Sequence, residues 1–262
     1  MSGLKVISST PGEEITTQED SDVDIPSLQR LKDTVQVFLK VNNFDIGKEP
    51  DFRDFTEGEF IEYCQKTVDQ NIITRFEELN IEENFRSALS KKYTSKINPD
   101  NKIFIFFLPT SRQRTKVGVD AIKLFCRLVV LLGCNEGVII SEQSLSPSAT
   151  EQLEGSNVTS FCRENIYNVM SYRDDMFINI VEHCLSPKVL KIYSGEELKR
   201  FEEQENVNSR DFPRMKSDDP IAKFYRAKAG DVIKMKRKTG NKDTLVNEQI
   251  VFRLVVQTVK KK

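Results

Sequence analysis

The chain has 262 residues, of which 30% are charged and 38% hydrophobic, and its net charge is −1. This length allows a sizeable core in one or two domains. The composition argues against a membrane-embedded protein, because no stretch approaches the roughly 20 apolar residues of a spanning helix. The sequence does not open with a basic and then apolar signal segment, so we expect an intracellular, soluble protein.

Charge is distributed unevenly along the chain. Residues 183–262 hold 19 Lys and Arg against 11 Asp and Glu, a balance of +8. Residues 1–182 hold 20 against 29, a balance of −9. Regions of opposite charge predict two domains with different partners.

The cysteines are five in number and irregularly spaced, and the chain has one histidine, His183. The lack of a Cys-x-x-Cys pair and the single His argue strongly against a structural zinc site. We therefore expect free, mostly buried thiols in a reducing compartment. The cysteines are Cys64, Cys126, Cys134, Cys162 and Cys184.

The first predicted segment is an acidic tail, residues 1–27, with one Lys against six acids. Such a segment buries too little apolar surface to fold alone, so we predict disorder. Ser27 is the predicted N-cap of the next helix, which has apolar residues at helical spacing. Thr56 and Glu59 form a capping-box pattern for a second helix.

Strand and helix patterns then alternate. Residues 101–109 and 136–141 are dense in apolar and β-branched residues and predict buried strands. Between them, residues 119–133 predict a helix closed by Gly133. Ser146 and Pro147 predict the start of another helix, and residues 176–181 predict a third strand. This order predicts a small α/β domain.

The pattern changes after His183. Ser194 and Glu197 predict a capping box for a charged helix over residues 194–206. Two alternating segments, residues 229–238 and 249–256, are separated by turn-forming residues and predict an antiparallel hairpin.

Six short motifs follow one another through residues 183–254. In this order and spacing they resemble the assembly domain of the fifth subunit of eukaryotic nuclear RNA polymerases, a domain that in archaea stands alone as a small polymerase subunit. The motifs are the His183–Lys188 opening with Leu185 and Pro187, a helix with paired acids, Pro213-Arg214-Met215, Asp219-Pro220 with Ala222, Gly230 with Val232 to Lys234, and Phe252-Arg253-Leu254.

The resemblance extends upstream more faintly, through residues 117–125 and 137–154, to the jaw domain of the same family. It covers residues 28–256 and implies an α+β/α/β chain. The implied domains are the tail at 1–27, a nuclease-like α/β jaw at 28–182, and a small mixed assembly domain with an antiparallel hairpin at 183–262. A long hairpin tip, residues 239–249, departs from the family pattern and indicates a divergent or specialised member.

The family implies a noncatalytic nuclear subunit, nucleolar if it is dedicated to ribosomal RNA synthesis. It would be present in one copy, would dock on the largest polymerase subunit and its neighbours, and would help to hold downstream double-stranded DNA through backbone contacts. No cofactor, metal or catalytic residue is implied. The residues expected to face DNA are Arg112, Arg114, Lys116, Ser146, Pro147 and Ser148. Those expected to bind the polymerase are His183, Pro187, Lys188, Pro213, Arg214, Asp219, Pro220, Gly230 and Arg253.

Alternatives from other classes stay open at this point. Neighbours in an extended segment point to opposite faces, so His183 and Cys184 would form a poor catalytic dyad. A metal-dependent nuclease could use Glu142, but Ser144 stands where a lysine is needed and the strand at 103–108 carries no carboxylate. A free-standing adaptor with an acidic recruiting tail is a third hypothesis. The basic run 234–238 is by default a solvated face.

Overall fold

The computed structural model describes residues 24–79, 81, 84–109, 116–154, 168–238 and 248–258. The chain divides into two compact units, Met1–Asp175 and Met176–Lys262. The predicted domain boundary lies further along, between Glu182 and His183. Each unit has its own mixed β-sheet with helices, which confirms the α+β class. None of the helices in these residues is long and apolar enough to cross a bilayer.

The first unit is built on a five-stranded sheet. Its strands are β1 Phe44–Asp45, β2 Lys91–Ser95, β3 Lys102–Phe107, β4 Glu136–Ser141 and β5 Asn168–Arg173. Its helices are α1 Ile25–Val41, α2 Glu57–Lys66, α3 Gln70–Glu78, α4 Phe85–Ala88, α5 Val119–Leu131 and α6 Pro147–Glu154, with a 3-10 turn at Phe52–Asp54. The order is β1-β2-β3-β4-β5, antiparallel from β1 to β3 and parallel from β3 to β5.

The two predicted central strands are confirmed as β3 and β4. Five of the six residues of β3 and all six of β4 are buried, as expected for parallel strands covered on both faces. The helix α5 supplies the crossover that a parallel pair requires. It ends near Gly133, whose φ of +64° suits a glycine.

Three aromatic rings stack in the core between the sheet and α5. The Phe104 and Phe106 centroids lie 5.9 Å apart, and the Phe106 and Phe125 rings lie 5.9 Å apart at an interplanar angle of 9°. All three side chains are fully buried. This stack fixes the distance between α5 and the sheet.

Gly137 lies directly beneath that helix. A Cβ at this position would stand 2.6 Å from Cζ of Phe125 and 2.9 Å from Cγ2 of Val129. We therefore expect Gly137→Ala to lower the free energy of unfolding by about 1–3 kcal/mol through overpacking. Gly58→Ala is the matched control, because nothing lies within 4 Å of a Cβ there. Urea unfolding of both variants tests this, and equal stabilities would contradict the packing account.

The helix starts predicted for the first unit are partly correct. The capping box at Thr56 is confirmed, since Glu59 N donates to Thr56 Oγ1 and Thr56 N donates to the Glu59 carboxylate. The N-cap of α1, however, is Asp24 and not Ser27, whose backbone N–H donates to Asp24 at 3.1 Å. The helix thus begins inside the predicted tail, of which residues 1–23 lie outside the described residues.

The strand predicted at 176–181 is wrong. These residues belong to a helix, α7 Asp174–Glu182, and the third parallel strand is β5, just before it. A short apolar run does not distinguish a strand from a buried helix by itself. The signal that favours the helix is the pair Asp174 and Asp175, because acidic side chains stabilise the first turn of a helix.

The second unit is a four-stranded sheet in the order β6-β8-β9-β7. Its strands are β6 Lys188–Tyr193, β7 Arg214–Lys216, β8 Val232–Lys238 and β9 Glu248–Val256, and its further helices are α8 Gly195–Glu205 and α9 Pro220–Phe224. The predicted hairpin is confirmed, with β8 and β9 antiparallel from Val232↔Leu254 to Lys238↔Glu248. The strand β7 pairs parallel with β9.

Helices cover both faces of this sheet. One face packs Ile233, Met235 and Val255 with Ala222 of α9. The other packs Val232 with Leu198 and Phe201 of α8 and with Tyr193, Phe212, Phe252 and Leu254. Ser194 is the N-cap of α8, but the predicted capping box is wrong. Among the described residues no side-chain hydrogen bond caps this helix, and Glu197 pairs with Lys191 at 2.7 Å.

Candidate functional site

The carboxyl ends of the parallel strands in the first unit converge on one buried arginine. Arg86, which is 4% exposed, donates from Nε to the Leu108 carbonyl at 2.8 Å and from Nη2 to the Ile140 carbonyl at 3.4 Å. Both terminal nitrogens bind the Asp174 carboxylate at 2.7 Å. Glu142 lies 3.6 Å away. One guanidinium thus links the ends of β3, β4 and β5.

Two described segments predicted to face DNA meet near this edge of the sheet: Lys116 and the start of α6. Val117 N donates to the Ser144 carbonyl at 3.0 Å, and Ser146 N donates to the Val117 carbonyl at 2.9 Å. Lys116 is exposed next to this bridge. The structure therefore brings Lys116 close to the start of α6, whereas Arg112 and Arg114 lie outside the described residues.

The start of α6 follows the predicted form. Ser146 Oγ accepts from Ala149 N at 3.2 Å, and Pro147 is the first helical residue. Pro147 and Ser148 are exposed, and Ser146 is half-buried. Since proline has no N–H and the Ser146 and Ala149 N–H groups are bonded, Ser148 carries the first-turn donor without a partner among the described residues.

The contacts of Arg86 at the same edge of the sheet argue against the nuclease hypothesis. Asp174 supplies the second carboxylate that the sequence did not reveal, next to Glu142. Both face the Arg86 guanidinium, which binds Asp174 at 2.7 Å and lies 3.6 Å from Glu142. Within the described ranges no group of three His, Cys, Asp or Glu side chains is placed to hold a metal.

A second buried polar network lies between α1 and β2. Lys32 Nζ lies 3.3 Å from the Leu89 carbonyl and 3.5 Å from the Tyr93 hydroxyl. Glu49 accepts from Lys91 at 2.6 Å and from Tyr93 at 3.1 Å. Burial lowers the pKa of Lys32 and raises that of Tyr93. The groups satisfy one another, which is typical of a structural network.

The cysteines in the described part of the chain are free: Cys64, Cys126 and Cys134 are buried and Cys184 is exposed. This confirms the expectation for these four, and Cys162 lies outside the described residues. Burial raises the pKa of Cys64 to about 12 and that of Cys134 to about 11. Both thiols therefore stay protonated near neutral pH.

We expect iodoacetamide at pH 8 to alkylate Cys184 in the native protein and to leave Cys64 and Cys134 unmodified. With a pKa of about 12, roughly one Cys64 thiol in ten thousand is ionised at that pH. Peptide mass spectrometry after a timed reaction measures the modification, and the urea-unfolded protein is the control, in which all are modified. Rapid native labelling of Cys64 would contradict its buried placement.

His183 has a structural role at the end of α7. Its backbone N–H donates to the Asn179 carbonyl at 3.2 Å, and its Nδ1 accepts from the Leu185 backbone N–H at 3.2 Å. Nδ1 is therefore committed to the turn that leads into β6. This agrees with a hydrogen-bonded histidine and not with a Cys–His dyad.

The structure places the predicted polymerase-binding residues at the two opposite edges of the second sheet. Those near β6 are His183, Pro187 and Lys188. Those around β7 and its neighbour β9 are Pro213, Arg214, Asp219, Pro220, Gly230 and Arg253. The second group is held by backbone bonds: Leu254 N donates to the Pro213 carbonyl at 3.1 Å, and Gly230 N donates to the Val255 carbonyl at 2.9 Å. Gly230 has a φ of +99°, which suits a glycine.

Around β7 the surface forms an open depression of about 480 Å³, which we call the β7 pocket. It is lined by Arg214, Met215, Lys216, Asp218, Asp219 and Arg253. Asp219 also caps α9, accepting from Ile221 N at 2.9 Å. The sequence did not indicate Lys216 and Asp218, which are ordinary exposed charges until the strand pairing brings them here.

The chemistry of the β7 pocket suits a polar peptide partner. It combines three cationic side chains with two carboxylates, beside an edge strand whose outer backbone groups are unpaired in the sheet. Arginine forks bind carboxylates and carbonyls, and an edge strand offers further donors and acceptors. The arrangement favours binding of another protein over covalent chemistry.

Comparison with known proteins gives matches over both units. The family model for the C-terminal domain of RNA polymerase Rpb5 matches residues 178–255. The subunit rpabc1 of RNA polymerases I, II and III from Dictyostelium discoideum is 27% identical over 188 residues, covering 71% of this chain and 88% of that protein. Its Caenorhabditis briggsae counterpart is 24% identical over 171 residues, covering 65% and 74%.

An archaeal protein also matches part of the chain. The RNA polymerase subunit Rpo5 of Archaeoglobus fulgidus is 35% identical over 81 residues, which is 31% of this chain and 100% of the archaeal subunit. The β7 pocket and nearly all of the hairpin lie within residues 178–255, which the family model matches. The chain therefore belongs to the family of the fifth subunit of DNA-directed RNA polymerases, which comprises the eukaryotic Rpb5 (RPABC1) and archaeal Rpo5 proteins.

Proposed function

We propose that this chain is a noncatalytic subunit of a nuclear DNA-directed RNA polymerase. Its assembly domain, residues 183–262, docks on the largest subunit, and its nuclease-like jaw, residues 28–182, helps to hold downstream DNA. Family membership supports the polymerase role, because the relatives are named as polymerase subunits. The protein works in the nucleus in one copy per enzyme, with nucleotidyl transfer left to the large subunits.

The β7 pocket is the observation that carries the docking proposal. It brings Arg253 of β9 next to Arg214 and Asp219, at one edge strand. Arg214 is exposed and Arg253 is half-buried, so both guanidinium groups can reach a partner. A tagged chain purified from its own cells tests the proposal, since the largest subunit that accompanies it identifies the enzyme.

A noncatalytic role fits the Arg86 ion pairs. A nuclease would need the Asp174 and Glu142 carboxylates to bind cations, and here the guanidinium binds them. A free-standing adaptor is less favoured, because the relatives over both units carry the names of polymerase subunits. Neither alternative has an observation of its own in its favour.

The jaw proposal rests on Lys116 and the start of α6, which the Val117 hydrogen bonds bring together. Lys116 is exposed beside the N-terminus of α6, and a lysine with free helix N–H groups can bind phosphate oxygens without reading sequence. We place Arg112, Arg114 and Lys116 together with Ser146, Pro147 and Ser148 on the side that faces duplex DNA.

We expect a variant with Arg112, Arg114 and Lys116 all changed to Glu to crosslink several-fold less to downstream duplex DNA. The crosslinking is measured on this subunit within the assembled polymerase. The variant should also flatten the salt dependence of that crosslinking, because fewer counterions are released. The control reverses Lys40, Lys48 and Lys96, which are exposed in the same unit. Unchanged crosslinking in the loop variant, or an equal loss in both, would contradict DNA contact by this loop.

A further inference from the structure

A second charged surface lies at the opposite side of the second sheet from the β7 pocket. Strand register puts Lys188 directly opposite Lys236, and Lys191 directly opposite Lys234, on β6 and β8. Residues directly opposite in an antiparallel pair share a face. With Lys238 further along β8, these five side chains form what we call the lysine ladder: Lys188, Lys191, Lys234, Lys236 and Lys238.

In the described part of the chain, the five lysines of the ladder have fewer carboxylates within ion-pair distance than they have positive charges. Lys191 pairs with Glu197 at 2.7 Å, and Lys236 pairs with Glu248. Among the described residues these are the carboxylates that bridge the five lysines. The pKa of Glu248 is lowered, first by its hydrogen bond from Lys236 and then by the charges of Lys236, Lys238 and Lys188. Several ladder ammonium groups thus surround a single acid.

Protection of a sheet edge does not explain this arrangement. Lysines and a β-bulge on an edge strand discourage unwanted pairing, and β6 has both, with the bulge between Val189 and Lys191. Half of the opposed lysines, however, lie on β8, which is an inner strand. Like charges directly opposite one another cost stability. On β8, Lys236 is offset by Glu248 and Lys234 lies 5.7 Å from the centroid of the Phe252 ring, but neither contact neutralises the lysines of β6 that face them.

An apolar side chain lies in the same row. Ile250 of β9 stands opposite Lys236 on the ladder face and is 53% exposed. Leu190 in the bulge of β6 is 50% exposed. The helix α8 covers the other half of this face, over Val232 and Leu254. The uncovered half therefore carries the lysines of β6 and β8, with Ile250 beside them on β9.

The aromatic rings of this face are not available to stack nucleic-acid bases. Phe252 lies against Phe201 and Phe212, with centroids 5.4 and 5.2 Å away, and Tyr193 is buried against Phe201. A phosphate backbone would neutralise the lysines but leave Ile250 in water. An acidic peptide with interspersed apolar side chains would satisfy both.

We propose that the lysine ladder with Ile250 is a docking surface for an acidic, apolar-bearing segment of a partner protein. The surface is separate from the β7 pocket, which lies at the other edge of the sheet. The inference does not depend on which protein fills that pocket. Charge complementarity selects the partner, and burial of Ile250 distinguishes it from a plain polyanion.

The test uses the full chain and two fluorescein-labelled peptides, one of four Glu-Glu-Leu repeats and one of four Glu-Glu-Ser repeats. Fluorescence anisotropy measures their binding. Lys188→Gln/Lys234→Gln removes two ladder charges that make no ion pair among the described residues. Lys199→Gln/Lys228→Gln is the matched control, because both lysines are exposed and lie off the ladder.

We expect saturable binding of the leucine peptide, weakened about tenfold by the ladder variant and unchanged in the control. Ile250→Ser should weaken the leucine peptide several-fold and leave the serine peptide unaffected. Equal losses in the ladder and control variants, absence of saturable binding, or equal affinity for the two peptides would overturn the proposal. The proposal would also be overturned if a 20-base-pair DNA duplex bound the chain, with binding weakened equally by the ladder variant and unchanged by Ile250→Ser.

Stability gives an independent readout. Because Lys188 opposes Lys236 without a paired carboxylate of its own among the described residues, Lys188→Gln should raise the melting temperature by about 1–3 °C. Lys199→Gln should leave it unchanged. A lower melting temperature for Lys188→Gln would mean that the ladder supports the fold and not a partner, which would overturn the proposal.

Discussion

Replacing Arg86 with methionine is expected to lower the free energy of unfolding of the first unit by about 3–5 kcal/mol. The side chain is 4% exposed and makes hydrogen bonds to two strand-end carbonyls and to both oxygens of Asp174. Its removal leaves a carboxylate that is only 20% exposed without its cation. The loss combines an unpaired charge with unsatisfied backbone acceptors.

Urea unfolding, monitored by hydrogen exchange of the β3 and β4 amides, measures this loss of unfolding free energy within the first unit. Arg75→Met is the control, since Arg75 is 39% exposed and its pair with Glu78 is within one helix; its cost should stay below about 0.5 kcal/mol. Arg86→Lys should retain only part of the stability that Arg86 provides. A lysine keeps the positive charge, but its ammonium cannot form the two parallel hydrogen bonds of a guanidinium to a carboxylate.

A double variant separates the ion pair from mere packing. If the cost of Arg86→Met arises from the stranded Asp174 carboxylate, then adding Asp174→Leu should recover a large part of it. A loss below about 1 kcal/mol for Arg86→Met, or strict additivity in the double variant, would contradict the role assigned to this pair.

Reversing Arg214 and Arg253 together to Glu is expected to reduce recovery of the largest polymerase subunit with the tagged chain by at least tenfold. The change removes two charge-assisted contacts and puts negative charge where the partner is expected to carry acceptors. At a desolvated interface this costs several kcal/mol of binding free energy. The fold should survive, because Arg214 is exposed and Arg253 borders the open β7 pocket.

The control for this experiment is Lys199→Glu/Arg200→Glu, on the exposed face of α8. It reverses the same number of charges in the same unit. Normal recovery with the control and loss with the pocket variant would support docking through the β7 pocket. Equal recovery with both would contradict it, and circular dichroism would show whether either variant unfolds.

Local sequence signals predicted the elements that local physics determines. The capping box at Thr56, the buried strands β3 and β4, the proline start of α6 and the β8–β9 hairpin all follow from residues within one turn or one strand. The errors have local causes as well. Asp24 and not Ser27 caps α1. The apolar run at residues 176–181 is short enough to be compatible with either a strand or a helix.

The sites could not be predicted in the same way, since they depend on distant pairings. Arg86 and Asp174 are 88 residues apart, and nothing in either segment indicates the other. Likewise, the opposition of Lys188 and Lys236 depends on a register that the bulge in β6 shifts. The order of the motifs indicated the family, but only the sheet showed that the predicted docking residues occupy two separate edges.

The most direct test of the central claim is affinity purification of the tagged wild-type chain from its own cells at moderate salt, with mass spectrometry of the recovered proteins. We expect polymerase large subunits in amounts stoichiometric with the tagged chain, one copy per enzyme. Which largest subunits are recovered would distinguish shared from dedicated use. Recovery of the chain without any polymerase subunit would contradict the assignment of this protein to a polymerase.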